Sequence, residues 1–185
     1  MVSVLSLWLP ILVSAVFVFF VSFILHTIFT YHNSDFKALP EEDRVFNALD
    51  GIKIPPGDYI MPHAPDNKTR QTQEFKNKVE KGPVALLTVM ENKMPGMGKT
   101  LTQWFVYCII ISVFAAYIAG RALGPDADYL AVFRFTGATA FIAYTAALWQ
   151  DSIWYSRKWS STIKSTIDGL IFALLTGGVF GWLWA

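Results

Sequence analysis

Histidine is the side chain best suited to bind a metal or move a proton near neutral pH, and this sequence contains three: His26, His32 and His63. His26 and His32 are six residues apart, which on a continuous helix places them about 240° apart around the axis. Together with Asp35 they could line a metal or quinone pocket only if the helix breaks near Tyr31. A histidine at a membrane interface is usually there because its ring is amphipathic, so we expect neither a cofactor nor a metal. If the chain does bind a cofactor, His26 and His32 are the candidate ligands.

Arg134 and Asp168 are the charges that fall most clearly within long apolar stretches. Ionisable residues inside a membrane are costly and are functional candidates by default. Arg134 can extend toward Asp126 or Asp128 at the end of its stretch. Asp168 lies one turn after Lys164, where the two can form an ion pair. We expect Arg134 and Asp168 to lie near opposite faces of the membrane, too far apart to pair with each other.

The segment Gly96-Met97-Gly98-Lys99-Thr100 is the one most similar to a phosphate-binding loop. Such a loop requires G-x-x-x-x-G-K-[ST], and Lys93 stands where the first glycine should be. The sequence also lacks a Ser/His/Asp or Cys/His set and a cluster of paired acids. We therefore expect no enzymatic activity. Because the phosphate-binding motif is incomplete and the net charge is only +1, we also expect no nucleotide and no nucleic acid as partners.

The composition points to a membrane. Of the 185 residues, 54% are hydrophobic and 16% are charged, and the mean hydropathy is +0.40. Globular domains carry about 25% charged residues, so the excess apolar surface must face lipid. The sequence predicts an all-α membrane protein with four transmembrane helices. One lies in residues 1–30, and the others, at about 101–120, 129–150 and 163–184, form a three-helix region over residues 101–185.

Residues 31–100 are the part polar enough to fold in water, and we expect a small mixed α/β insertion there. Turn residues and capping signals predict short helices, an extended piece, and a strand or a segment on the membrane surface. In order these are a helix over Glu41–Leu49, the extended piece Asp58–Met61, a helix over Gln71–Glu80, and the apolar segment Val84–Met90.

The distribution of basic residues predicts the orientation. Of the 15 Lys and Arg residues, all but Arg121 and Arg134 lie in residues 31–100 or 151–164. Cytoplasmic loops are enriched in Lys and Arg. We therefore expect these two connections in the cytoplasm and both termini outside.

Small residues recur on the predicted spans. Gly177 and Gly181 form a GxxxG motif on the fourth span, and Gly137 and Ala140 lie on the third. Small residues allow helix backbones to approach closely, which favours association in lipid. The pattern predicts a compact helix bundle more than any particular dimer.

Four segments together resemble an uncharacterised family of bacterial four-helix inner-membrane proteins. They are SLWLPILVSAVFVFFVSFILH near the start, IPPGDY at residues 54–59, MGKTL at residues 97–101, and SIWYSRKWSSTIKSTIDGLIFAL at residues 152–174. The resemblance covers nearly the whole chain and implies a location in the bacterial inner membrane. It implies no activity and no catalytic residue.

From these patterns we expect a non-enzymatic integral membrane protein that acts as an accessory or assembly subunit of a larger membrane complex, or as a homo-oligomer. Its partners would be the lipid bilayer and either another membrane protein or a second copy of itself. Two alternatives stay open. One is a small transporter or channel that uses Arg134 and Asp168. The other is a redox or quinone-linked subunit that uses His26 and His32.

Overall fold

The computed structural model describes residues 1–94 and 96–184, and it is mostly helical (69%). It divides into two compact units, one formed by Met1–Phe36 and Gly96–Ala185 and the other by Lys37–Pro95. Residues 31–36, which the sequence analysis assigned to the connection, therefore pack with the long helices. The end of the last predicted region at residue 185 lies outside the described residues.

Seven α-helices and two strands are formed by the described residues. In chain order they are α1 (Trp8–Thr27), α2 (Glu42–Asp50), β1 (Gly57–Met61), α3 (Asn67–Gln71), α4 (Gln73–Lys81), β2 (Ala85–Val89), α5 (Met97–Ala122), α6 (Tyr129–Trp154) and α7 (Trp159–Trp182). Short 3-10 helices precede and follow α1, at Val4–Leu7 and Tyr31–Ser34.

Helices α1, α5, α6 and α7 are each long and apolar enough to cross a membrane, as the sequence predicts. At 1.5 Å per residue, a helix of 26 residues such as α5 or α6 is about 39 Å long, which exceeds the hydrocarbon core. These helices extend beyond the apolar stretches because polar flanking residues continue or cap them. Asp128, for example, caps α6 by accepting a hydrogen bond of 3.0 Å from the backbone N–H of Ala131.

The four long helices pack in a closed antiparallel ring, in which α1 contacts α5 and α7, and α6 contacts α5 and α7. At one end of the ring, the backbone N–H of Val2 donates to the carbonyl of Gly120 at 2.8 Å. The indole of Trp184 donates to the carbonyl of Gly124 at 2.9 Å at the same end. The first and last parts of this unit thus close on the turn that follows α5.

The interior of the ring combines small side chains with the aromatic rings of Tyr144, Phe172 and Phe180, and hydroxyl groups lie among them. Several buried hydroxyls are paired inside the protein, as between the side chains of Ser14 and Ser112, whose oxygens are 3.0 Å apart, whereas the buried hydroxyl of Tyr144 has no hydrogen-bond partner among the described residues. The hydroxyl of Thr136 donates to the carbonyl of Val132 one turn earlier, at 2.8 Å. Because the paired polar atoms are satisfied internally, the helices can pack without water between them.

The predicted packing residues lie at the contact between α6 and α7. A Cβ atom added to Gly177 would lie 2.9 Å from the carbonyl oxygen of Phe133, and one added to Gly181 would lie 2.7 Å from the ring of Tyr129. A Cβ on Gly137 would meet the carbonyl oxygen of Ala173 at 3.5 Å, and Ala140 is fully buried in the core. The small residues of the GxxxG motif therefore contact a neighbouring helix of the same chain.

The unit Lys37–Pro95 contains three short helices and a pair of antiparallel strands, and helices α3 and α4 lie between the two strands in sequence. In the sheet, Gly57 of β1 pairs with Val89 of β2, and Met61 pairs with Ala85. The predicted short helices and the extended piece are present. Within the apolar segment Val84–Met90, residues Ala85–Val89 form a strand whose backbone pairs with β1, as the first of the two alternatives predicts.

Candidate functional site

The chain turns directly after α1, and this turn brings two histidines together. Helix α1 ends at Thr27, and the 3-10 helix Tyr31–Ser34 follows. The imidazole rings of His26 and His32 stack with their centroids 4.7 Å apart and their planes 11° from parallel. A continuous helix would hold these rings on different faces. The helix break that the two histidines need to share a pocket is present.

His32 lies between two carboxylates. Its Nδ1 is 2.6 Å from Oδ2 of Asp35, and its Nε2 is 2.8 Å from Oδ2 of Asp168 on α7. Asp168 is only 3% exposed, and its other oxygen accepts a hydrogen bond from the hydroxyl of Tyr31. Burial, the hydrogen bond to Asp168 and the negative charge of both carboxylates raise the pKa of Tyr31 above its ordinary value. The phenol therefore keeps its proton and acts as the donor.

Lys164 holds the other side of this cluster. Its amine donates to Oδ1 of Asp35 at 2.9 Å, to the hydroxyl of Ser34 at 2.7 Å, and to the backbone carbonyl of Tyr31. Among the described residues, its ion pair is with Asp35 and not with Asp168, so the pair expected from the spacing on α7 is replaced. The turn after α1 supplies Asp35 as a partner, which helix spacing alone could not reveal.

Asp35 is ionised by its surroundings. Ser161 donates to its Oδ1 at 3.0 Å, in addition to the contacts with His32 and Lys164. Burial alone would raise the pKa of Asp35, but the hydrogen bonds from these three neighbours outweigh burial and hold the pKa well below its ordinary value. Asp35 is consequently a fixed negative charge that accepts the Nδ1–H of His32.

The hydrogen-bond partners also define which imidazole nitrogens can bind a ligand. Nδ1 of His26 lies 2.9 Å from the backbone carbonyl of Ser22. A carbonyl only accepts, so Nδ1 donates in this contact, and Nε2 is the nitrogen of His26 that could face a ligand. In His32, Nδ1 donates to Asp35, and Nε2 faces Asp168.

The three side chains that converge are His26, His32 and Asp168, whose ligand atoms all lie within 4.8 Å of one another. Two ligands bound at right angles to one ion, about 2.1 Å from each, lie about 3 Å apart. The 2.8 Å separation of His32 Nε2 and Asp168 Oδ2 is close to that value. The exposed ring of His26 would have to move closer by a side-chain rotation. Because the lone pairs of two stacked, parallel imidazoles do not point at one ion, metal binding requires the ring of His26 to turn out of its stack with His32.

Arg134, the other predicted intramembrane charge, is not brought to this cluster. It lies in the second turn of α6, whereas Asp168 precedes Gly169, whose added Cβ would meet the side chain of Thr145. Arg134 and Thr145 are eleven residues apart on one helix, which is about 16 Å along its axis. Arg134 and Asp168 thus lie toward opposite ends of the bundle, as the sequence indicates.

No family model, curated protein or solved structure matches this chain. The class that the fold and the site define is a four-helix protein with apolar helices and an ionic cluster at one end of the bundle. The chemistry of the cluster is interpreted from its own residues.

Most residues of this cluster are candidates from the sequence, but the sequence does not predict their contacts with one another. The sequence predicts Asp168 as an intramembrane charge paired with Lys164, and His26 and His32 as a pair with Asp35. The spacing of His32 and Asp35, three residues apart, is the one local signal for their hydrogen bond. The contacts of His32 with Asp168 and of Lys164 with Asp35 join distant parts of the chain, and no spacing rule predicts them.

Proposed function

We propose that this chain is an integral membrane protein with four spans that binds a divalent first-row transition metal through His26, His32 and Asp168. Four apolar helices of sufficient length support the membrane location. The convergence of two imidazoles and a carboxylate at one end of the bundle supports the metal site. In this proposal, the cation takes the place of the proton shared between His32 and Asp168.

The observation that carries the proposal is that each of the three ligands has a second group of the chain as a hydrogen-bond partner. The backbone carbonyl of Ser22 holds His26, Asp35 holds His32, and the hydroxyl of Tyr31 holds Asp168. Metal-binding histidines characteristically donate their other N–H to a carboxylate or a backbone carbonyl.

The donor set indicates the class of metal. Imidazole and carboxylate ligands suit Zn²⁺, Fe²⁺ and Mn²⁺, and two histidines with one carboxylate form the arrangement typical of non-haem iron sites. Three protein ligands leave positions for water or an external ligand, in contrast to the four ligands of a closed structural zinc site. The proposed site is thus of the open type.

The location of the site follows from the orientation proposed for the chain. Residues Lys158 and Lys164 and the basic connection over residues 31–100 favour the cytoplasmic side of a bacterial inner membrane. The metal site would then face the cytoplasm, at the level of the lipid headgroups.

Metal titration of the detergent-purified, chelator-treated protein tests this function. We expect wild-type protein to bind about one Zn²⁺ or Fe²⁺ per chain by calorimetry, because the three side chains converge on one place in each chain. His26→Ala, His32→Ala and Asp168→Asn should each weaken binding strongly. His63→Ala is the matched control, because His63 is an exposed histidine in the other unit and should leave binding unchanged.

A result in which the three variants bind like wild type, or in which wild type does not bind, would contradict the proposed metal site. Thermal unfolding of each variant in detergent separates lost ligation from lost folding. Asp168→Asn keeps the shape of the side chain and is the most conservative of the three changes.

A second candidate function, the accessory subunit expected from the sequence, is favoured by one feature of the unit Lys37–Pro95. Helix α2 presents Phe46 and Leu49 at 67% and 43% exposure, and Leu39 nearby is 59% exposed. Contiguous exposed apolar residues mark interaction surfaces more often than chance. If a partner binds here, Phe46→Asp should remove a protein that co-purifies in fixed stoichiometry in mild detergent, while His63→Ala should retain it. Purification of wild type as a lone monomer would count against this function.

A further inference from the structure

Arg134 is a cation on the outer surface of the bundle, and none of the described residues forms an ion pair with it. It lies on α6 and is exposed. Within residues 1–94 and 96–184 it forms no ion pair, and the side chain of Asp128, one of its expected partners, is used to cap α6. A charge at membrane depth is costly unless an opposite charge or water reaches it. The exposed guanidinium of Arg134 is thus open to an anion from outside the chain.

Two apolar grooves lie on either side of this arginine. One runs between α5 and α6 and includes Phe114, Ile118 and Ile142. The other runs between α6 and α7 and includes Phe141, Leu170 and Leu174. Arg134 and Ala138 line both grooves, so the cation and a small side chain form the ridge between them.

The length and the direction of the grooves fit hydrocarbon chains. From Arg134 to Ile142 is eight residues, or about 12 Å along the helix, and this part of α6 runs toward the middle of the bundle. Arg134 is near the start of α6, where the headgroups of a bilayer would lie. Ala138, one turn further in, is small enough to let two chains pass on either side of the ridge.

We propose that this ridge is a binding site for one anionic phospholipid, whose phosphate contacts Arg134 and whose two acyl chains lie in the two grooves. The charge of Arg134 selects an anionic headgroup, and the paired grooves select a lipid with two chains. The proposal rests on the membrane location in the proposed function and not on the metal site, which is at the other end of the bundle.

Lipid retention measured by native mass spectrometry tests this site. The delipidated protein in detergent micelles is titrated with phosphatidylglycerol or with phosphatidylcholine of the same acyl chains. We expect wild type to retain phosphatidylglycerol about fivefold better, the effect of one basic residue at a membrane surface. Equal retention of the two lipids would overturn the selection by Arg134.

Variants separate the charge from the grooves. Arg134→Gln should remove the preference for phosphatidylglycerol, and Arg134→Lys should retain most of it. Ala138→Phe should lower retention of both lipids, because the larger side chain blocks the two grooves while Arg134 keeps its charge. Arg157→Gln, which removes an arginine at the opposite end, is the matched control and should behave like wild type. If Arg134→Gln and Ala138→Phe both match wild type, the site is wrong.

A single-chain lysophosphatidylglycerol tests the second groove. The proposal expects it to be retained less than the two-chain lipid, and equal retention would overturn the two-groove part. Thermal unfolding of each variant distinguishes a lost site from a lost fold. If the protein stays monodisperse without detergent, the membrane location itself is contradicted. Because the metal site is at the other end of the bundle, we expect all of these variants to bind metal like wild type.

Discussion

His32 connects two parts of the chain that are 136 residues apart in sequence. One ring nitrogen meets Asp35 in the same turn and the other meets Asp168 on α7. Asp35 in turn is compensated by Lys164, so positive and negative groups alternate through the cluster. Buried charges are tolerated when they are paired and hydrogen-bonded. The positions of the proposed metal ligands therefore depend on residues that do not bind the metal themselves.

Replacing Asp35 by Asn should weaken metal binding without removing a ligand. The amide cannot accept the Nδ1–H of His32 as strongly as a carboxylate, so the imidazole loses basicity and its fixed orientation. Loss of such a supporting group typically lowers metal affinity about 10–100-fold. Calorimetric titration with Zn²⁺ measures the change.

The matched control for this change is Asp151→Asn. Asp151 is 47% exposed and pairs with Arg157 outside the cluster. Its replacement should leave the affinity for Zn²⁺ unchanged. If Asp35→Asn bound Zn²⁺ as tightly as Asp151→Asn, the supporting role of Asp35 would be wrong.

At the scale of elements, the contact between α6 and α7 is the most extensive in the bundle. Gly177 and Gly178 are adjacent on α7 but face different surroundings. A Cβ on Gly177 would meet the backbone oxygen of Phe133 at 2.9 Å, whereas a Cβ on Gly178 would meet only the hydroxyl of Tyr129, at 3.7 Å. Close approach of the two backbones thus requires glycine at one position and not at the other.

Gly177→Ala should destabilise the bundle relative to Gly178→Ala. Both changes favour the helix equally through propensity, so their difference reports the contact with α6. Overpacking at a tight contact typically costs about 1–3 kcal/mol. Unfolding of both variants in detergent by increasing SDS measures this difference, and equal unfolding midpoints would contradict the packing described for Gly177.

The sequence predicts elements well where a pattern is local. The apolar stretches predict the four long helices, and capping and turn residues predict the short helices of the second unit. The ends of α6 and α7 differ from the prediction because flanking polar residues such as Asp151 continue a helix beyond its apolar stretch. Contacts between distant residues could not be predicted, since Lys164 has two acids within reach and only the turn after α1 decides between them.

At the scale of the whole molecule, the small residues of α6 and α7 already pack against neighbouring helices of the same chain. The GxxxG motif is therefore not available as a surface for self-association, and a partner would have to bind elsewhere. The described surface of the long helices is instead rich in large apolar side chains, such as Phe20, Phe114 and Leu174. Such a surface suits lipid contact.

Labelling with a membrane-impermeant maleimide tests the proposed orientation. The native Cys108 is fully buried, and Cys108→Ala provides a background without thiols. In that background Asp126→Cys should react in intact cells, because the turn after α5 is proposed to face outward. Ser160→Cys should react only after permeabilisation. The reverse pattern would contradict the orientation, and the metal site would then face outward.

The central claim is that the turn after α1 and helix α7 assemble one metal site from His26, His32 and Asp168. X-ray absorption spectroscopy of the Zn²⁺-loaded protein in detergent tests it most directly, because it reports the ligand atoms themselves. We predict two imidazole nitrogens and a carboxylate oxygen at about 2.0–2.2 Å, and one imidazole fewer in His32→Ala. A spectrum with no imidazole scattering, or one unchanged in His32→Ala, would contradict the claim.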